Sequence, residues 1–198
     1  MGDRKDWLIR LSRIMAGAFF MPLFRLETEG VEHIPENGPF VLLPKHQRWE
    51  DVPIVGLATP RPLYFVAKNE LFSNPFNAWF FRSLGGIPLN RQRPIESRQY
   101  LNAVVDQLMS GEGVVLFPEG TYFRERMGPG RTGLIRLILT RFSPPFIPIG
   151  LRYIRIGLMK TEVRVNFGRR VFSDTEEPVN IFVDRVMKEI ARLSGITA

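Results

Sequence analysis

Short apolar runs bounded by glycine or proline recur along the chain, and between them apolar positions return at helical spacing. Phe40-Val41-Leu42-Leu43, Leu63-Tyr64-Phe65-Val66 and Val114-Val115-Leu116-Phe117 are rich in branched or aromatic residues and read as buried strands. Residues 161–167 alternate polar and apolar, the pattern of a half-exposed strand. Helices are predicted over 51–57, 74–84, 95–109, 131–142 and 179–193. Strands that alternate with helices predict an α/β fold, a mixed, largely parallel sheet flanked by helices. No internal repeat, low-complexity tract or linker breaks the pattern.

The stretch 7–26 differs in character. Trp7, Leu8, Ile9, Leu11, Ile14, Met15, Phe19, Phe20, Leu23 and Phe24 are interrupted by Arg10, Arg13 and Arg25. A bilayer span needs ~20 largely apolar residues, and the uncharged run 14–24 is about half that length and contains Pro22. Asp3 and Asp6 dilute the positive charge that a secretory signal carries at its start. Two readings remain: an amphipathic, membrane-associating helix with its arginines at the headgroups, or a helix packed on the protein's own core. The division expected is an interfacial segment over 1–26 and the main domain over 27–198.

With 198 residues, 44% of them hydrophobic and 24% charged, the chain suits one domain with its own core. The absence of cysteine excludes disulfides, thiolate nucleophiles and cysteine-ligated metal, and two histidines leave little for a metal centre. The net charge of +7 points to an anionic partner: a phosphate-bearing substrate, anionic lipid or nucleic acid. The arginines are dispersed and no helix-turn-helix, RNP or zinc-finger pattern occurs, so no nucleic-acid partner is expected.

Three segments fall where such a fold places chemistry, after the carboxyl ends of strands. In Lys45-His46-Gln47-Arg48-Trp49-Glu50-Asp51, His46 suits proton abstraction near neutral pH. Asp51 is either the carboxylate behind that imidazole or the N-cap of the helix ahead of Pro53, and the two roles are compatible. Phe117-Pro118-Glu119-Gly120-Thr121 forces a tight turn whose N–H groups suit an anion, although a surface turn reads the same way. Gly85-Gly86-Ile87-Pro88-Leu89-Asn90-Arg91, followed by Arg93, places guanidinium groups after a short strand, as bidentate phosphate binding requires.

Taken in order, these blocks resemble those of the lysophosphatidic acid (1-acylglycerol-3-phosphate) acyltransferases and the wider glycerolipid acyltransferase family. His46 and Asp51 match its His-x4-Asp block, and Gly85 to Arg91 its glycine-isoleucine-arginine block. Phe117 to Thr121 match its Phe-Pro-Glu-Gly-Thr block, and Phe146-Ile147-Pro148-Ile149-Gly150 its apolar proline block. The resemblance implies transfer of a fatty acyl group from acyl-CoA or acyl-carrier protein to a lysophospholipid hydroxyl. It implies neither metal nor cofactor, and no acyl-enzyme. His46 is the implied base and Asp51 its partner, with Arg91, Glu119, Gly120 and Thr121 shaping the acceptor site. Glu119 is expected to organise neighbouring donors, because a carboxylate facing phosphate repels it. The implied setting is the cytoplasmic face of a membrane, peripheral or monotopic, on anionic lipid.

The chain departs from the family pattern at three points. Lys45 stands for the usual Asn, Arg48 for Ser, and Tyr122 for the Arg that closes the third block. Arg48, Arg93, Arg124 and Arg126 are the candidates to replace that lost cation. Residues 124–131, with Arg124, Arg126 and Arg131 among Gly128, Pro129 and Gly130, read as a basic flap or as a solvated loop. Leu71, Phe72, Phe76, Trp79, Phe80 and Phe81 read as the lining of a lipid tunnel or as plain core. The substitution at Tyr122 keeps two alternatives in view: a different lysolipid or glycerol-3-phosphate as acceptor, and an inactive lipid-surface binder.

Overall fold

The computed structural model describes residues 4–90, 98–157, 160–174 and 176–196. Among them lie six α-helices: α1 (Asp6–Phe20), α2 (Asp51–Ala58), α3 (Pro75–Ser83), α4 (Arg98–Met109), α5 (Gly133–Leu139) and α6 (Val179–Ser194). The strands β1 (Phe24–Glu29), β2 (Phe40–Pro44), β3 (Leu63–Lys68), β4 (Gly86–Leu89), β5 (Gly113–Val115), β6 (Phe146–Ile156) and β7 (Lys160–Phe167) make one sheet. Its order is β1-β7-β6-β2-β5-β3-β4, and the β6/β7 pair is antiparallel while the others are parallel. The α/β, mostly parallel expectation therefore holds.

β2 is buried on both faces, which explains its unbroken apolar run. Val41 and Leu43 point into a layer made with α4, α5 and α6, whereas Phe40 and Leu42 point into a layer that includes Ile54, Val55 and Ala58 of α2. On α6 the apolar residues Phe182, Val183, Val186, Met187, Ile190 and Ala191 repeat at three- and four-residue spacing and are buried as one stripe.

Some boundaries differ from expectation. The first helix ends at Phe20, and Phe24 to Leu26 belong to β1, whose parallel pairing with β7 carries them into the sheet. β1 thus crosses the boundary expected at residue 26. Leu116 and Phe117 follow β5 rather than extend it, because the chain turns there toward the Pro118 loop. α5 is shorter than the predicted 131–142. Residues 95–97 of the predicted fourth helix, together with Arg91 and Arg93, lie outside the described residues.

α1 presents the reverse of an ordinary surface helix. Leu8 and Phe20 are buried, yet Trp7, Leu11, Ile14, Met15 and Phe19 face outward, with Ile14 70% and Phe19 61% exposed. Polar contacts tie the helix to the body instead. The Lys5 N–H donates to the Ser83 carbonyl, and Arg4 pairs with Glu112 through two hydrogen bonds of 2.9 and 3.1 Å. Arg13, expected at a headgroup, turns inward and donates to the Thr59 and Leu57 carbonyls at the end of α2, a cation at the negative end of a helix. No helix among the described residues is long and apolar enough to cross a membrane.

Candidate active site

Because β2 and β5 are parallel neighbours, the loops that follow them emerge side by side. His46 and Glu119, 73 residues apart in sequence, meet there: the His46 N–H donates to Glu119 Oε2 at 2.9 Å. Glu119 is fully buried and also accepts from the Gly128 N–H at 2.6 Å. Its main partner is Lys45, likewise buried, whose ammonium reaches both carboxylate oxygens at 2.6 and 2.8 Å and the Phe123 carbonyl at 2.8 Å. Burial pulls the Lys45 ammonium below its usual range, against the pull of Glu119. The charge that Lys45 adds to the sequence is therefore cancelled inside the protein and is not offered to a ligand. Glu119 organises donors as expected, and its carboxylate faces the loop core rather than an acceptor.

Asp51 is buried and is the first residue of α2; the N-cap position falls to Glu50, so Asp51 does not cap the helix. Its carboxylate turns back to the loop instead. Oδ2 accepts from the Gln47 N–H at 2.5 Å and the Arg48 N–H at 2.7 Å, and lies 3.1 Å from His46 Nδ1. With two N–H groups already on this carboxylate, the compatible imidazole tautomer carries its proton on Nδ1 and leaves Nε2 as the acceptor. The imidazole stacks on Phe117 at 3.9 Å and meets the Tyr122 ring edge-on at 4.5 Å. Burial and the nearby charges of Asp51 and Glu50 raise the Tyr122 hydroxyl.

Tyr153 went unnoticed in the sequence. Its hydroxyl donates to Asp51 Oδ1 at 2.6 Å, from a residue 102 positions away on β6. Burial first, then the charge and hydrogen bond of Asp51, hold the phenol protonated far above its usual range. Nothing local in the run Gly150-Leu151-Arg152-Tyr153 announces this, because the strand pairing alone brings β6 beside the loop after β2.

Beside His46 a cavity of about 460 Å³ opens, walled by Gly56 and Leu57 of α2, Leu63 and Phe65 of β3, Phe81 of α3, and Ile9 and Ala16 of α1. Gly120, Thr121 and Tyr122 line it next to His46. Gly120 adopts φ 71°, a left-handed conformation that lets the chain turn after Phe117, whose carbonyl accepts the Gly120 N–H at 3.1 Å. Leu71 and Phe81 of the expected aromatic group line the cavity, while Phe76, 70% exposed, and Trp79 face outward, so the group is not plain core.

The expected cations scatter. The Arg48 guanidinium lies over the Tyr153 ring, 4.5 Å from its centroid. Arg124 is exposed, as is Arg126, which stacks on Phe123. The loop they occupy is tethered, through the Phe123 N–H to the His46 carbonyl at 2.9 Å and through the Gly128 N–H to Glu119. Gly128 is required there, since a Cβ would stand 2.3 Å from the Phe123 ring.

A histidine backed by a buried carboxylate, on an α/β sheet edge and at an apolar cavity, is an arrangement that can move a proton beside an apolar ligand. The chain belongs to the Acyltransferase family, which it matches over residues 25–152. It is similar to the 1-acyl-sn-glycerol-3-phosphate acyltransferase of Streptococcus pneumoniae, with 28% identity over 180 residues, covering 86% of this chain and 65% of that one. With the enzyme of the same description from Pseudomonas aeruginosa it shares 38% identity over 115 residues, 57% of this chain and 41% of the relative. The chain spans about half the length of the relatives it matches. In fold it is similar to the crystal structure of the 1-acyl-sn-glycerophosphate acyltransferase PlsC from Thermotoga maritima. The TM-score is 0.74 at 20% identity, over 98% of this chain and 82% of that one.

Proposed function

We propose that this chain is a 1-acyl-sn-glycerol-3-phosphate O-acyltransferase, making phosphatidic acid from lysophosphatidic acid at a membrane surface. The observation that carries the reading is the His46–Asp51 pair beside an apolar cavity. His46 Nε2 takes the proton of the acceptor hydroxyl as its oxygen attacks the thioester carbonyl of acyl-CoA or acyl-carrier protein. The tetrahedral oxyanion collapses, the C–S bond breaks, and the imidazolium returns the proton to the departing thiolate. Asp51 orients the imidazole and balances its positive charge. The nucleophile comes from the acceptor, so neither metal nor cofactor is required.

The apolar cavity takes the acyl chain, and Gly120 and Thr121 flank the reacting centre. The acceptor's phosphate is assigned to the basic set Arg91, Arg93, Arg48 and Arg124. The direct test is thiol release from acyl-CoA by the purified protein in vesicles: release that requires lysophosphatidic acid supports the reading, and release indifferent to it or absent with either donor overturns it.

Cavity length should set acyl length. Gly56 lies on the cavity wall inside α2, where a Cβ would stand 3.8 Å from the Phe65 ring, an ordinary contact. Gly56→Leu is therefore tolerated by the helix and projects a side chain into the lumen. The expected result is a shift of donor preference toward shorter acyl chains, measured by competition between thioesters of different lengths. An unchanged preference would place the acyl chain elsewhere.

The outward apolar face of α1 supports the membrane-surface part of the reading, with anionic lipid of the cytoplasmic face as the matching partner for net charge +7. Replacing Ile14 and Phe19 together by Glu should weaken co-sedimentation with anionic vesicles at least ~10-fold, because each residue contributes ~1.5–3 kcal/mol on burial. Both side chains are exposed, so far-UV circular dichroism should stay unchanged. Undiminished vesicle binding would remove α1 from the membrane contact.

A further inference from the structure

We infer that Tyr153 is a positioning residue for the reaction: its hydroxyl anchors Asp51 Oδ1 and so fixes the carboxylate in the orientation that aligns the His46 imidazole. The inference rests on the proposed role of His46 as base. Asp51 divides its two oxygens unequally. Oδ2 takes His46 Nδ1 and the N–H groups of Gln47 and Arg48, all from the loop that Asp51 itself closes. Those donors move with the loop and give the carboxylate no external reference. Oδ1 takes the Tyr153 hydroxyl at 2.6 Å, and Tyr153 stands on β6, within the sheet.

A second tie reinforces the first, since Gln47 Nε2 donates to the Leu151 carbonyl at 2.8 Å, two residues before Tyr153. The loop carrying His46 is thus registered on β6 at both ends, and rotation of the carboxylate about Cβ–Cγ would break the 2.6 Å contact. The Tyr153 ring is itself wedged, with Arg48 over one side and Phe24 edge-on at 6.5 Å. The charged and titratable groups around the pair are His46, Arg48 and Glu50 on the loop, Lys45 before it, and Tyr122 on the loop after β5. Of the hydroxyls among them, that of Tyr153 hydrogen-bonds Asp51.

Tyr153→Phe removes the hydroxyl and keeps the ring that Arg48 and Phe24 contact, so the fold is retained. The expected result is a fall in kcat of about ten- to a hundredfold, the loss of one hydrogen bond to a charged group, with KM for both substrates within about twofold of wild type. The acidic limb of the pH–rate profile should move to higher pH, because a carboxylate without its donor makes the His46–Asp51 pair hold its proton more tightly. A merely structural role would scale the rate and leave that limb in place. In an Asp51→Asn background the same change should cost less than about twofold, since the two effects act through one contact.

His46→Ala, measured alongside, separates the failures. If His46→Ala abolishes turnover while Tyr153→Phe keeps the wild-type rate or the wild-type pH limb, the positioning role is overturned and the proposed function stands. If His46→Ala stays active, the proposed function falls and this inference falls with it.

Discussion

His46→Ala is expected to lower acceptor-dependent thiol release by about three orders of magnitude, within the range that positioned general bases contribute. The loss should appear in kcat rather than in KM, because in the proposed mechanism the imidazole meets the hydroxyl proton in the transition state, while the cavity assigned to the acyl chain is untouched. The variant should remain folded: the imidazole stacks on Phe117 and Tyr122, but the loop is held by backbone and side-chain bonds that alanine retains, including the N–H to Glu119. The sign of the pH dependence follows from the same chemistry. Neutral imidazole accepts the proton and imidazolium does not, so the wild-type rate should fall on acidification between about pH 8 and 5 while the residual rate of the variant stays flat. A His46→Ala rate above about a tenth of wild type would remove His46 from the mechanism.

The second large effect concerns stability. Lys45→Met leaves Glu119 buried and charged with two backbone N–H groups in place of four hydrogen bonds, and should cost roughly 3–5 kcal/mol. For a chain of this size that is on the order of 10 °C in Tm. Glu119→Leu should cost at least as much, because it strands the Lys45 ammonium together with the N–H groups of His46 and Gly128. The double variant should lose less than the sum of the two, the difference measuring the pair itself. Urea midpoints of the three proteins check this. A Lys45→Met midpoint within about 1 kcal/mol of wild type, judged against the usual cost of breaking a buried pair, would show that the loops are held without the ion pair.

The two predictions address the two functions of one junction. The loops after β2 and β5 follow neighbouring parallel strands, so both arrive at the same sheet edge. The Lys45–Glu119 ion pair and the His46–Tyr122 ring contact join the two loops, and the Tyr153 hydroxyl donates to Asp51. Tyr122, where the family pattern has Arg, accordingly packs on the imidazole instead of presenting a cation. In the proposed function the acceptor's phosphate is therefore assigned to other basic residues.

Much of this was legible along the chain. The apolar runs around Val41, Phe65 and Val114 marked buried parallel strands because such strands are covered on both faces and need no polar alternation. The blocks at 45–51 and 117–121 were visible because a sheet-edge site is built from contiguous residues after each strand, whereas Gly86 to Leu89 of the third block form β4 itself. Less visible was β1, since Phe24-Arg25-Leu26 continues the apolar character of α1 and separates from it only through pairing with β7. The sense of α1 was equally hidden. Its periodicity shows that one face is apolar, but periodicity alone does not tell whether that face meets the core or the outside.

The sequence by itself determined the α/β class, the strands around Val41, Phe65, Val114 and Val165, and the loop blocks that carry His46, Asp51 and Glu119, because strand burial, helix spacing and loop chemistry are each local properties. Only the tertiary structure decided that Lys45 neutralises Glu119 across 74 positions, that Tyr153 completes the shell of Asp51, and that α1 turns its apolar side outward. Those three facts depend on which strands pair and which helix ends are tethered. Pairing is settled by the free energy of the whole packed sheet, in which no single segment carries the information.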